Sequence, residues 1–178
     1  MKILMLAIVL LVPVQGKEQE PRSDNIQFQI LPDKLVYTSG ESMEVQFLVT
    51  NRGAQPIYIG RSLGPCTGPS GFAALEILNE RGEDVRHSGC AGNGLRLADD
   101  ELIRWITDAE SFILLKPQET YGEVVRFDVR TKPGEHRLVA ELYPANVISE
   151  KQKEMLSQRG IRILQGPVAA PTLTVAVR

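Results

Sequence analysis

Residues 42–60, SMEVQFLVTNRGAQPIYIG, decide how this chain folds. Met43, Val45, Phe47 and Val49 alternate with Glu44, Gln46 and Thr50. Successive side chains of a strand point to opposite faces, so this period of two predicts a strand with one face on a core. Asn51-Arg52-Gly53-Ala54 interrupts the alternation, and Ile57-Tyr58-Ile59 resumes it in a second, shorter strand.

The same signature recurs on both sides. Ile26, Phe28 and Ile30 share one face of a strand at 25–31, which Lys34–Tyr37 continues beyond Pro32. Ala73, Leu75 and Ile77 do the same within 72–79, and 84–87 reads as a short strand after the Glu80-Arg81-Gly82-Glu83 turn. Further strands are expected at 111–115, 121–130, 135–143 and 171–178, separated by turn-forming segments such as KPQET and TKPG. Val125, Phe127 and Val129 face inward on one of them, His136, Leu138, Ala140 and Leu142 on the next, and Leu173, Val175 and Val177 on the last. Thr38-Ser39-Gly40-Glu41 is a turn by composition. Two stretches depart from the period of two. In ADDELIRWITDA, residues 98–109, Leu102, Trp105, Ile106 and Ala109 fall at helical spacing, with Asp99 placed as N-cap. In the long connection 144–170, Ser149 and Gln152 have capping-box spacing, Gly160 marks a helix stop, and Ile148, Met155 and Leu156 supply a narrow apolar side.

Many short strands with turns between them imply an all-β domain of two packed antiparallel sheets, with one or two short helices in loop insertions. FILLKPQETYGEVVRFDV, KPGEHRLVAELY and LQGPVAAPTLTVAV resemble the C-terminal half of immunoglobulin-like domains found in secreted bacterial proteins. That family's pattern runs L-x-P-G-E, then P-G-x-Y-x-L-x-A-x-Y, then G-x-V-x-S-P-x-L-x-V. The resemblance covers the last third of the chain and the 42–60 strand pair, and it implies an immunoglobulin-like β-sandwich without implying any chemistry. Gln118, His136 and Ala170 stand where the pattern has glycine, an aromatic residue and serine.

The first sixteen residues read as a secretory signal: Lys2, an apolar run from Ile3 to Val12, and small residues at Val14-Gln15-Gly16. The run stops at Pro13, short of the roughly 20 apolar residues that a spanning helix needs. The expected organisation is therefore a signal peptide at 1–16, a polar leader at 17–24 and one sandwich domain at 25–178, with a secreted or periplasmic location. A net charge of −2 becomes −3 when Lys2 is removed with the signal, and no run of Lys or Arg is interleaved with aromatics, which argues against a nucleic-acid partner. After signal removal no membrane span is expected.

No catalytic or metal constellation emerges, and no cofactor is implied. GxSxG is missing. The adjacent acids Asp99-Asp100-Glu101 suit a first helical turn, where they complement the helix dipole. His87 lies three residues from Cys90, but a copper site needs a second histidine and a free thiolate. His136 reads as a histidine at the start of a core-facing strand. The leading expectation is a non-enzymatic exported module that binds a protein or serves as an envelope component. The alternative is an extracellular proteinase inhibitor presenting loops, and a hydrolase comes third.

If strands simply alternate in direction, the loops 61–71, 88–110 and 131–134 emerge at one end, and 51–54, 79–83, 116–119 and 144–170 at the other. Cys66 and Cys90 then tie two neighbouring glycine-rich loops, and Arg104 and Trp105 beside them are the candidate partner-binding residues, as Arg and Trp are enriched in binding hot spots. In an exported chain the two cysteines are expected to form a disulfide, contributing roughly 3 kcal/mol by restricting the unfolded chain. Thiol titration of exported protein under denaturing, non-reducing conditions checks this: no free thiol is expected, and two would remove the bond.

Overall fold

The computed structural model describes residues 25–64, 72–85, 97–145 and 148–178. Cys66, His87 and Cys90, and with them the expected disulfide, lie outside these residues. Among the described residues ten strands run in the order β1 (Ile26–Pro32), β2 (Val36–Tyr37), β3 (Ser42–Asn51), β4 (Ile57–Gly60), β5 (Phe72–Leu78), β6 (Phe112–Leu115), β7 (Thr120–Asp128), β8 (Gly134–Tyr143), β9 (Val168–Ala169) and β10 (Leu173–Val177). Helix α1 (Asp99–Thr107) precedes β6, and α2 (Glu150–Gln158) follows β8.

One sheet has the order β1-β3-β7 and the other β2-β10-β8-β5, while β4 and β6 form a separate ribbon. The alternation read from the sequence sorts side chains as expected. Ile26, Phe28 and Ile30, then Met43, Val45, Phe47 and Val49, are buried from the first sheet. Ala73, Leu75, Ile77, Leu138, Ala140, Leu142, Val175 and Val177 meet them from the second in a single core. Phe47 lies at its centre, its ring 5.7 Å from Phe28 and 6.2 Å from Phe127. Two sheets, with the first, third and seventh strands antiparallel on one side and the fifth, eighth and tenth antiparallel on the other, make this an immunoglobulin-like β-sandwich.

The chain changes sheets between Pro32 and Val36. β1 pairs antiparallel with β3, whereas β2 pairs parallel with β10, so Lys34–Tyr37 does not continue β1. Pro32 and the residues after it end the first ladder, and Tyr37, 1% exposed, pins the crossing. Its hydroxyl donates to Asp33 Oδ1 and to the Lys34 carbonyl, each at 2.8 Å. Lys34 reaches Glu41 and lies 5.1 Å from the centre of the Tyr37 ring. Burial, and then the Asp33 carboxylate, raise the Tyr37 pKa well above the ordinary phenol range, so the hydroxyl stays a donor. Desolvation alone would raise Asp33, but hydrogen bonds from the Tyr37 hydroxyl and the Glu44 amide outweigh it and hold its carboxyl below the usual value.

Other expectations need revision. The two strands within 42–60 are not partners: β3 lies between β1 and β7, and β4 pairs with β6. Asn51, 1% exposed, makes this departure; its Nδ2 donates to the carbonyls of Gln55 and Leu115, and its Oδ1 accepts from the Gly53 amide. The N-cap of α1 is Ala98, with no side-chain cap, and Asp99 is the first helical residue. Ala109 is exposed beyond the helix end. The capping box of α2 forms as expected between Ser149 and Gln152, and Gly160 stops it at φ +71, a conformation that favours glycine. Of the 84–87 strand, the described part is a bridge from Asp84 to Leu78. β9 was not anticipated: it takes the β8 lane beyond β10, with Pro171 between them unable to donate to the ladder.

Phe47→Ala should cost about 3–5 kcal/mol, because a ring enclosed by two others leaves a cavity that the sheets cannot close. Glu44→Ala, on the opposite face of the same strand, should change stability by only about 0.5 kcal/mol. Urea unfolding of both variants measures the difference, and equal losses would contradict the one-sided burial of β3.

Candidate functional site

Alternating strand direction misplaces the 79–83 turn. β8 begins at the 131–134 turn, and β5 runs antiparallel to it with Leu78 opposite Arg137 and Phe72 opposite Tyr143. The 79–83 turn therefore stands beside 131–134, not at the far end. Asn79 builds it: the side-chain oxygen accepts from the amides of Arg81 and Glu83 at 2.9 and 3.0 Å, and Nδ2 donates to the Glu83 carboxylate. Gly82 takes φ +79 at the bend. Across from it, Pro133-Gly134 turns β7 into β8.

Between these turns lies a groove of about 550 Å³, lined by residues 79–81, 83–85 and 130–136. Its side chains carry both charges: Arg81, Arg130 and Lys132 against Glu80, Glu83, Asp84 and Glu135. Arg130 is committed to Asp128 at 2.9 Å, whereas Arg81 and Lys132 have no ion-pair partner among the described residues. His136 also lines the groove, 4% exposed, at the start of the inward face of β8. Its Nε2 lies 3.0 Å from the Lys132 carbonyl, which assigns the ring hydrogen to that nitrogen. The Nδ1 lone pair is left buried without a partner among the described residues. A buried acceptor without a donor is costly, and this one stands out in an otherwise satisfied set of described side chains. Sequence reading placed His136 correctly on the inward face but could not foresee the unpaired nitrogen, because its neighbours come from other strands. Among the described residues no group of three or more His, Cys, Asp and Glu side chains is arranged to hold a metal ion.

Arg104 and Trp105 lie on α1, away from this groove's lining. Leu102 and Ile106 bury the helix in a second core with Phe112, Ala145, Ile148, Leu156 and Ile163. The helix thus packs with the 144–170 connection, which strand alternation had placed at the opposite end. Gln152, already in the α2 capping box, joins them by donating to the Leu97 carbonyl at 2.9 Å. Trp105 is half-buried and meets the Phe112 ring edge-on at 4.9 Å and 90°. Arg104 projects into solvent, 3.8 Å from Asp100, with both side chains more than three-quarters exposed; such a pair contributes little. A small pocket of about 10 Å³ beside Tyr58 and Ile163 has room for about one water.

No protein-family model matches the chain, and no curated protein matches it. Among solved structures, the chain is similar to the ASH/PapD-like domain 7 of human CEP192 at 14% identity, covering 97% of this chain and 94% of that one with a TM-score of 0.34. It is also similar to AvmM, which catalyses macrocyclization in alchivemycin A biosynthesis, at 15% identity, covering 87% and 88% with a TM-score of 0.39. At these scores neither similarity extends to a site or an activity.

Trp105→Ala should lower stability by about 1–3 kcal/mol, since a half-buried ring with one aromatic neighbour loses part of a full core contribution. Arg104→Ala should stay within about 0.5 kcal/mol. Thermal melts of the two variants test this, and a Trp105→Ala variant as stable as the parent would free the ring for recognition alone.

Proposed function

We propose that this protein is an exported, non-enzymatic immunoglobulin-like module, of the kind found in secreted bacterial proteins, that acts by binding another protein or as an envelope component. The observation that carries this reading is the groove between the 79–85 and 130–136 segments. Its volume falls in the range of ligand sites, and two turns on a rigid sandwich hold it open. The mixed charge of its lining suits a polar polypeptide segment that offers both donors and acceptors, with His136 Nδ1 beneath as an acceptor still to be met. The exposed face of α1, with Arg104 and the half-exposed Trp105, is the competing surface on the same module.

Selection of peptides from a random display library against the full chain, followed by amide chemical-shift mapping, tests the reading. Shifts concentrated at 79–85 and 130–136 are expected, and the double variant Arg81→Glu, Lys132→Glu should weaken the selected peptides by about tenfold or more. Shifts confined to Arg104, Trp105 and their neighbours would move the recognition surface to α1. Failure to select any peptide would count against a peptide-binding module.

A further inference from the structure

Among the described residues β7 is an edge strand, paired with β3 on one side and with no strand on the other. Its hydrogen bonds to β3 run through odd-numbered residues, as the flanking bonds show: the Asn51 amide donates to the Glu119 carbonyl, and the Val129 amide to the Glu41 carbonyl, in one continuous register. An antiparallel ladder alternates bonded and non-bonded pairs. The N–H and C=O groups of Gly122, Val124 and Arg126 therefore point away from β3. These three residues are exposed, and none of their backbone groups has another partner among the described residues. Val124 is 56% exposed at the middle of this edge.

We propose that the β7 edge is a homodimer interface, in which β7 pairs antiparallel with β7 of a second copy about a two-fold axis at Val124. In that register Val124 faces the partner's Val124, and Gly122 faces the partner's Arg126. Every bonding pair then joins residues whose free groups already point outward, so the ladder closes with no change in either strand. On the inward face Glu123 stands opposite the partner's Val125, and no like charges are opposed. Arg126 is held along the sheet by Glu44 at 2.7 Å, which neutralises the charge that would otherwise guard the edge. Gly122 has no side chain to obstruct it, and Leu48 leans over that glycine, its methyl 2.7 Å from where a Cβ would sit, offering apolar surface to the arginine stem.

Other registers are worse. Moving the axis to Glu123 sets two carboxylates face to face, and moving it to Arg126 opposes two guanidinium groups. An axis at Val125 puts Val124 against an arginine. In the favoured register the paired valines continue a row across the outer face of the sheet in which Leu31, 49% exposed, lies opposite Gln46, and Gln46 opposite Val124. The occupant is a second copy because the strand complements itself in hydrogen-bond phase, charge and side-chain size at once.

Sedimentation equilibrium of the full chain over a concentration series tests the proposal. The parent should dimerise, and Val124→Lys and Val124→Glu should each raise the dimer dissociation constant by about tenfold or more, through like charges opposed at the axis. An equimolar mixture of the two variants should recover the dimer. Val36→Lys, at an exposed apolar site on another strand, should leave it unchanged. Circular-dichroism melts confirm that each variant folds, which is expected because the Val124 amide takes no part in the β3 ladder. A monomeric parent, a dimer indifferent to Val124→Lys, or a mixture that fails to recover association would each overturn the proposal.

Discussion

The passage of the chain from one sheet to the other at Asp33–Tyr37 is the constraint on which the sandwich depends. β1 is bound to β3, and four residues later β2 is bound to β10, so this short segment ties both layers near the end of the molecule where β10 finishes. A backbone that leaves one ladder for another strands its polar groups midway. Here Tyr37 and Asp33 accept or supply the missing bonds: Asp33 Oδ1 receives both the Tyr37 hydroxyl and the Glu44 amide, and the Lys34 carbonyl receives the same hydroxyl. The tyrosine ring is buried by the core while its oxygen reaches the crossing, a division of labour that phenylalanine cannot perform.

Around this frame the chain adds a second, smaller core. The β4-β6 ribbon, α1 and α2 share the apolar side chains of Leu102, Ile106, Phe112, Ile148 and Leu156, and Asn51 anchors the ribbon to β3 through buried side-chain bonds. The addition occupies the region where α2 and the long connection after β8 lie, and it leaves the turns at 79–83 and 131–134 unobstructed by either helix. The described residues therefore offer three distinct surfaces: a charged groove between those turns, an exposed helix face at Arg104, and the edge of β7 that no described strand pairs with. They are set by different physics. The groove rests on turn geometry, the helix face on amphipathic packing, and the edge on unpaired backbone groups.

His136 shows how burial and chemistry separate. Its position on β8 follows the alternation that also buries Leu138, Ala140 and Leu142. The hydrogen bond to Lys132 settles one ring nitrogen, and the other is left as the unsatisfied acceptor beneath the groove. A leucine there would satisfy the pattern equally well and leave no such acceptor, so the histidine is a departure from the demands of the core alone.

Much of this protein was legible in its sequence because the signals concerned are local. Alternation along β3, β5 and β8 assigns inward faces without knowledge of any partner, and Ser149, Gln152 and Gly160 bound α2 through bonds within a few residues. The same alternation is satisfied by every arrangement of strands, so it could not say that β4 leaves β3 for β6, that Tyr37 belongs to the other sheet, or that β5 runs so as to bring the 79–83 turn beside 131–134. Those choices, and with them the groove, the contact between α1 and α2 and the open edge of β7, were decided only in the tertiary structure. They depend on pairings between residues tens of positions apart, where total burial and hydrogen-bond satisfaction, not local preference, select one topology.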